Sequence, residues 1–201
     1  MIHFAMLIVP KAVLLDMDGT IVTLKLDFPR IKADMGIGQR PILEAMDAMP
    51  ADARHRALKV LLAAEERAAA ESGLAEGASE LLGLMRSGGI ASALITRNSR
   101  SSVDTVLARH ALRFDALVTR EDGLYKPHPR AVLLACEMLG VAANEAWMVG
   151  DGQYDVEAGL AAGCPTVWLS HGRPKPFAAQ PWKTVDNLAV LTAVLRECLN
   201  A

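Results

Sequence analysis

The chain has 201 residues, of which 52% are hydrophobic and 22% charged, and its formal net charge is −2. That length and apolar content suit one compact domain with room for a small inserted subdomain. The near-neutral charge and an aromatic share of 4% argue against nucleic acid and anionic membranes as partners.

Residues 1–10 are apolar, but they lack a basic n-region and a small-residue cleavage site and are too short to span a bilayer. They read as an extra strand or arm, or as the result of a start placed upstream of Met6. Cys136, Cys164 and Cys198 are odd in number and lack metal-ligand spacing, so they read as buried thiols of a reducing compartment, and a cytoplasmic setting is expected.

The first apolar run, 12–15, has no polar alternation and predicts a strand buried on both faces. After it the pattern changes. A loop-like stretch through Gly36 and Gly38 leads to helical patterns at 41–49 and 51–72, with no buried strand before residue 76. Alternation then resumes: a helix at 76–86, a strand at 90–95, a helix at 100–110, a strand at 116–118, and a helix from Pro129 to Gly140. Strands follow at 146–149 and 165–169, then a Pro-rich surface loop at 172–181 and a closing helix at 187–199. The expected fold is α/β, a parallel Rossmann-like sheet with helices on both faces, plus a small all-helical insertion. The expected division is a core of 1–23 and 74–201 and an insertion of 24–73.

Three of these strands run directly into polar residues. Leu14-Leu15 leads into Asp16-Met17-Asp18-Gly19-Thr20, Leu94-Ile95 into Thr96-Arg97, and Met148-Val149-Gly150 into Asp151-Gly152-Gln153-Tyr154-Asp155. In an open α/β sheet the ligand crevice lies beyond the carboxyl ends of the strands, so these side chains are expected to converge there. The set fits phosphoryl transfer. A carboxylate such as Asp16 can attack phosphorus and form an acyl phosphate, but charge repulsion opposes the attack and calls for a cation. Asp16 and Asp151 offer the hard oxygen ligands that Mg²⁺ prefers. Asp18 is placed to protonate the leaving oxygen and then to deprotonate water. Gly19 frees backbone N–H groups for phosphate oxygens, Thr96 adds a hydroxyl, and Lys126, in Tyr125-Lys126-Pro127-His128-Pro129, adds fixed positive charge.

Taken in order, Asp16-Met17-Asp18-Gly19-Thr20, Thr96, Lys126-Pro127 and Gly150-Asp151 with Asp155 resemble the four motifs of the haloacid dehalogenase superfamily. Leu94 to Arg100 and Leu26-Asp27-Phe28 are similar to phosphoglycolate-phosphatase-like members. The resemblance implies a Rossmann-like core with a helical cap inserted after the first strand, and a Mg²⁺-dependent phosphatase acting on a small phosphorylated metabolite such as phosphoglycolate. It implies Asp16 as nucleophile and metal ligand, and Asp18 as acid/base with its backbone carbonyl on the metal. Thr96 and Lys126 would bind phosphate, Lys126 also holding Asp16. Asp151 would ligate the metal, and Asp155 would act directly, through water, or by orienting Lys126. Gly152 stands where many relatives carry Ser. Arg97 is bulkier than the Asn of many relatives and either joins the phosphate-binding set or points to solvent. The chain is expected to act as a monomer or homodimer.

A phosphomutase of the β-phosphoglucomutase type keeps the same residues and remains an alternative, as does a non-enzymatic phosphoryl-binding protein on the same scaffold. A true dehalogenase would not need Asp18. A phosphoacceptor signalling domain would carry its aspartates on separate strands and lack the insertion. His128 reads as an exposed loop residue, and His3, His55, His110 and His171 are too scattered for a metal site. Lys25, Arg30, Lys32 and Arg40 read as a solvated basic face, and Glu65-Glu66-Arg67 as surface ion pairs.

Overall fold

Ala12–Leu15 is apolar at every position, and such a segment is stable only where neighbours cover both of its faces. It forms β1, and all four residues are buried. The computed structural model describes residues 9–201, so the expectation for the first eight residues lies outside the described ones. The chain continues through β2 (Val22–Thr23), α1 (Phe28–Met35), α2 (Ile42–Asp47), α3 (Ala51–Ala70) and β3 (Gly73–Leu74). Next come α4 (Ala78–Ser87), β4 (Ala91–Ile95), α5 (Arg100–His110), β5 (Ala116–Val118) and α6 (Arg130–Leu139). Then follow β6 (Ala146–Gly150), α7 (Gln153–Ala162), β7 (Thr166–Leu169), β8 (Lys183–Val185) and α8 (Leu188–Asn200).

Six strands form one parallel sheet in the order β5-β4-β1-β6-β7-β8. From β1 the chain builds outward through β4 and β5, then returns to lay β6 on the opposite side of β1. The order therefore reverses between β1 and β6, and ligand crevices open at such a switch, beyond the strands' carboxyl ends. On one face, Ala12 and Leu14 of β1 pack with Ala93, Ile95 and Met148 against Ala131, Val132 and Ala135 of α6 and Ala158 of α7. Side chains alternate along a strand, so Val13 and Leu15 face the other side, and α4 and α8 pack on each other to cover it.

Backbone contacts divide the chain into two compact units. One holds the sheet: the chain up to Thr23, Leu74–Arg97 and Arg113–Ala201. The other joins Leu24–Gly73 to Asn98–Leu112. In this second unit α3 packs on α1, α2 and α5. Glu65 is buried, and its Oε2 accepts from the Ser99 N–H at 3.2 Å, beside the start of α5. The surface reading of Glu65 is thus corrected: a helix start leaves backbone donors without partners, and a carboxylate on α3 answers one of them. At the other end of α5, Arg109 Nε donates to the Ser72 carbonyl at 3.0 Å, and His110 Nε2 lies 2.9 Å from Ser72 Oγ. Of the stretch expected to be loop-like, Phe28–Met35 forms a helix, while Gly36 and Gly38 lie in the turn that follows it. Asp27 caps α1 by accepting from Arg30 N at 3.0 Å, and Gly36 ends it in the left-handed conformation.

Gly159 sets how closely α7 approaches the sheet. A Cβ there would lie 2.8 Å from Met148 Cβ and collide with Thr166 Oγ1. Gly159→Ala gains helix propensity, yet the overlap with β6 and β7 should outweigh it. We expect a net loss of roughly 1–3 kcal/mol, read as a lower Tm. An unchanged or higher Tm would contradict this packing.

Candidate active site

Asp16, Thr96 and Asp151 sit where buried strands give out. Asp16 follows β1 and continues its ladder, its N–H donating to the Val149 carbonyl at 2.9 Å. Thr96 follows β4, is buried, and donates its N–H to Val118 O at 2.9 Å. Asp151 follows β6, and Asp155 lies in the first turn of α7. Lys126 enters from the turn before α6, and only 2% of it is exposed.

The Lys126 ammonium joins these segments. Its Nζ donates to Asp16 Oδ1 at 2.5 Å, to Asp155 Oδ1 at 2.6 Å and to the Ile95 carbonyl at 2.7 Å. Asp155 Oδ2 accepts from the Gly152 N–H at 2.9 Å, so this carboxylate both pairs Lys126 and caps the helix that carries it. Burial works against the ammonium, but Asp155 and then Asp16 outweigh it and hold its pKa above the ordinary lysine value. Burial, with Asp155 adding to it, pushes the Asp16 carboxyl up to about 8, although Lys126 pulls the other way. Asp151 is also raised, by burial and then by Asp155, with Arg173 partly offsetting them.

Oxygen atoms of Asp16, Asp151 and Asp155 all lie within 4.8 Å of one another. Carboxylates crowded together in a desolvated site repel one another, and this is why Asp155 adds to burial in raising both Asp16 and Asp151. This all-oxygen set fits a hard divalent cation such as Mg²⁺. Asp18 is half-buried in the turn after Asp16, and its backbone bridges to Val22. Gly19 has φ +79°, and a Cβ on it would stand 2.6 Å from Asp151 Oδ2, so both its conformation and the approach of Asp151 require glycine. Gly150 is constrained in the same way, since a Cβ would overlap the Asp155 carboxyl. Arg97 packs over the rings of Tyr125 and Tyr154 at 4.8 and 4.5 Å and donates to the Lys126 carbonyl.

The sequence reading missed a further contributor. Arg173 Nη2 donates to Asp151 Oδ2 at 3.1 Å, and Trp168 Nε1 donates to the Asp151 carbonyl at 3.0 Å. His171 Nε2 lies 2.7 Å from the Gly19 carbonyl. Residues 172–181 are therefore more than a surface loop, and His171 is not merely scattered. The signal was available: β7 is another apolar strand that runs directly into polar residues, Ser170-His171-Gly172-Arg173. His128 is exposed, its Nδ1 accepting from Arg130 N at 3.1 Å.

Residues 29–169 match the haloacid dehalogenase-like hydrolase family, and the chain belongs to it. It is 31% identical over 169 residues to an uncharacterized hydrolase of Saccharomyces cerevisiae, covering 80% of this chain and 78% of that protein. It is 32% identical over 131 residues to the phosphoglycolate phosphatase of Escherichia coli K12, covering 63% of this chain and 52% of that enzyme. The match thus spans about half of that phosphatase's length. In fold it resembles a hydrolase of Pseudomonas syringae, with a TM-score of 0.79, 19% identity and coverage of 92% and 98% of the two chains. A predicted phosphoglycolate phosphatase of Haemophilus somnus has a TM-score of 0.70, 21% identity and coverage of 92% and 97%.

The burial and crowding of these carboxylates have a consequence for stability. Asp16 is pushed up to about 8 in the folded protein, against 3.8 for an aspartate free of these neighbours, as in the unfolded chain. Between those values the folded state binds more protons, so stability falls as pH rises. Asp151 acts in the same direction, while Lys126, raised from 10.5, contributes evenly across this window. In excess chelator, Tm should therefore fall from about pH 5 to about pH 8, and Asp16→Asn should flatten that fall. A Tm that rises equally in both proteins would contradict the charge balance described.

Proposed function

We propose that this chain is a divalent-cation-dependent phosphatase that passes the phosphoryl group of a small ester to Asp16 and then to water. The observation that carries this reading is the Lys126 ammonium, bonded at once to Asp16 and Asp155 beside Asp151. A carboxylate fixed by an ammonium at a strand end is a positioned nucleophile and not a surface charge.

Asp16 attacks phosphorus, the bond to the ester oxygen breaks, and Asp18 gives its proton to that departing oxygen. Asp18 then takes a proton from a water molecule, whose oxygen attacks the same phosphorus. The bond to Asp16 breaks, inorganic phosphate leaves, and both aspartates return to their starting forms. Thr96 binds phosphoryl oxygens; the Gly19 N–H, expected from the sequence to do the same, is taken by the Val22 carbonyl at 2.8 Å, so Gly19 serves the turn and the approach of Asp151 instead. Lys126 fixes the rotation of Asp16 and offsets the charge that gathers there, and Asp155 holds Lys126. Asp16, Asp151 and the backbone carbonyl of Asp18 would hold Mg²⁺, which screens the repulsion between carboxylate and phosphate.

The substrate proposed is a small phosphorylated metabolite, with phosphoglycolate the first to try. Its support is the similarity to the Escherichia coli enzyme. The basic residues of the second unit add little: Arg30 pairs with Asp34, Lys32 donates to the Gln39 carbonyl, and Arg40 to the Ile37 carbonyl. We assign residues 24–73 the role of a cap that selects the ester, since fold alone does not set specificity. A cytoplasmic setting is inferred from Cys136, Cys164 and Cys198, which are buried and unbridged. No described helix is long and apolar enough to cross a membrane.

Purified protein should hydrolyse an aryl phosphate with Mg²⁺ and lose that activity in excess chelator. Asp16→Asn should lower kcat by at least about 10³-fold, and Asp18→Asn by about 10²–10⁴-fold. Turnover that survives Asp16→Asn would sink the mechanism. Transfer to a sugar hydroxyl in preference to water would replace the phosphatase with a mutase.

A further inference from the structure

Three residues to which the proposed reaction gives no role stand beside the site. The Arg97 guanidinium lies 4.8 Å from the centre of the Tyr125 ring and 4.5 Å from that of Tyr154, and Nη1 donates to the Lys126 backbone carbonyl. The Arg97 carbonyl in turn accepts from Arg120 Nη1 at 3.4 Å. All three members are half-buried.

Their places in the chain are informative. Arg97 follows Thr96, Tyr125 precedes Lys126, and Tyr154 precedes Asp155. Each member is therefore the immediate neighbour of a residue the proposed reaction needs, and the three come from separate segments: the end of β4, the turn before α6 and the first turn of α7. We infer that Arg97, Tyr125 and Tyr154 form a positioning stack that sets Thr96, Lys126 and Asp155 in register, and that Arg97 is a positioning residue and not a phosphate ligand. This inference rests on the phosphatase reading for its functional meaning.

The chemistry of the side chain supports the assignment. A guanidinium is planar, so it can lie over aromatic rings and still donate from its edge to a carbonyl. Here both interactions are made together, and the acceptor is the backbone of the residue whose ammonium holds Asp16 and Asp155. Lys126 is thus held at two ends, its carbonyl by Arg97 and its ammonium by Asp16, Asp155 and the Ile95 carbonyl. An ammonium at position 97 would keep the charge but not the plane. Tyr154 contributes its ring, which phenylalanine keeps and leucine does not.

The test compares Arg97→Lys, Tyr154→Leu and Tyr154→Phe with the wild-type chain, with folding checked by Tm. Two readouts are taken: steady-state hydrolysis of an aryl phosphate with Mg²⁺, and the lysine ammonium resonances in ¹H–¹⁵N spectra. Buried and triply bonded, Lys126 should give a protected ammonium signal in the wild type. In Arg97→Lys and Tyr154→Leu we expect kcat to fall about tenfold or more with KM within about twofold, because small misplacements of reacting groups cost rate more than binding. The protected signal should be lost in the same two variants and kept, with near-normal kcat, in Tyr154→Phe. A rise in KM at unchanged kcat would make Arg97 a substrate contact and overturn the inference. Unchanged kcat and an unchanged ammonium signal would also overturn it. If the wild type hydrolyses no phosphate ester, the functional reading fails separately, and the ammonium signal still decides whether the stack positions Lys126.

Discussion

An ammonium buried to 2% exposure must be paired, because an unpaired charge in the interior costs several kcal/mol. Lys126 meets that demand with Asp16, Asp155 and the Ile95 carbonyl, which come from the ends of β1 and β4 and the start of α7. The arrangement of the site follows from this. The position of Asp16 is fixed by a partner far away in sequence, and Asp155 is oriented by Lys126 on one oxygen and by the Gly152 N–H on the other. Removing Lys126 would leave two buried carboxylates without their cation. The oxygen ligands crowded round this ammonium suit the site to a hard cation, and a cation held there would offset the charge of a phosphate.

The sheet brings these groups within reach of one another. The strand order reverses between β1 and β6, so Asp16 and Asp151 leave adjacent strands on the two sides of the switch point. Gly19 and Gly150 then let carboxylates approach the backbone at distances that no Cβ would permit. From the far side Arg173, Trp168 and His171 hold Asp151 and the Gly19 carbonyl. Four strand ends and one turn thus converge, each held by contacts that are mostly made to backbone or to buried charge.

Most of the sheet was legible because its strands are buried on both faces. Ala12–Leu15 and Ala146–Gly150 carry no polar residue to confuse the pattern, and the catalytic-type residues stand at their ends. Lys183–Val185 escaped notice because a three-residue edge strand, only one residue of which is fully buried, has no such signature. The helix Phe28–Met35 was hidden by Pro29 and by the glycines that follow it, although Asp27 in front of it is a good cap. Glu65 looked like a surface charge because its acceptor role depends on α5, which is remote in sequence and invisible to local pattern. Arg173 was legible in principle from the strand-end rule, but the prolines around it drew the reading toward an ordinary loop.

The central claim is that Asp16 carries the phosphoryl group. Enzyme quenched in acid during turnover of a phosphate ester can be reduced with borohydride, which converts an acyl phosphate to an alcohol. Peptide mass analysis should then find homoserine at position 16 and aspartate at positions 18, 151 and 155. Reduction at another aspartate, or no reduction while a burst of leaving group is released, would contradict the account.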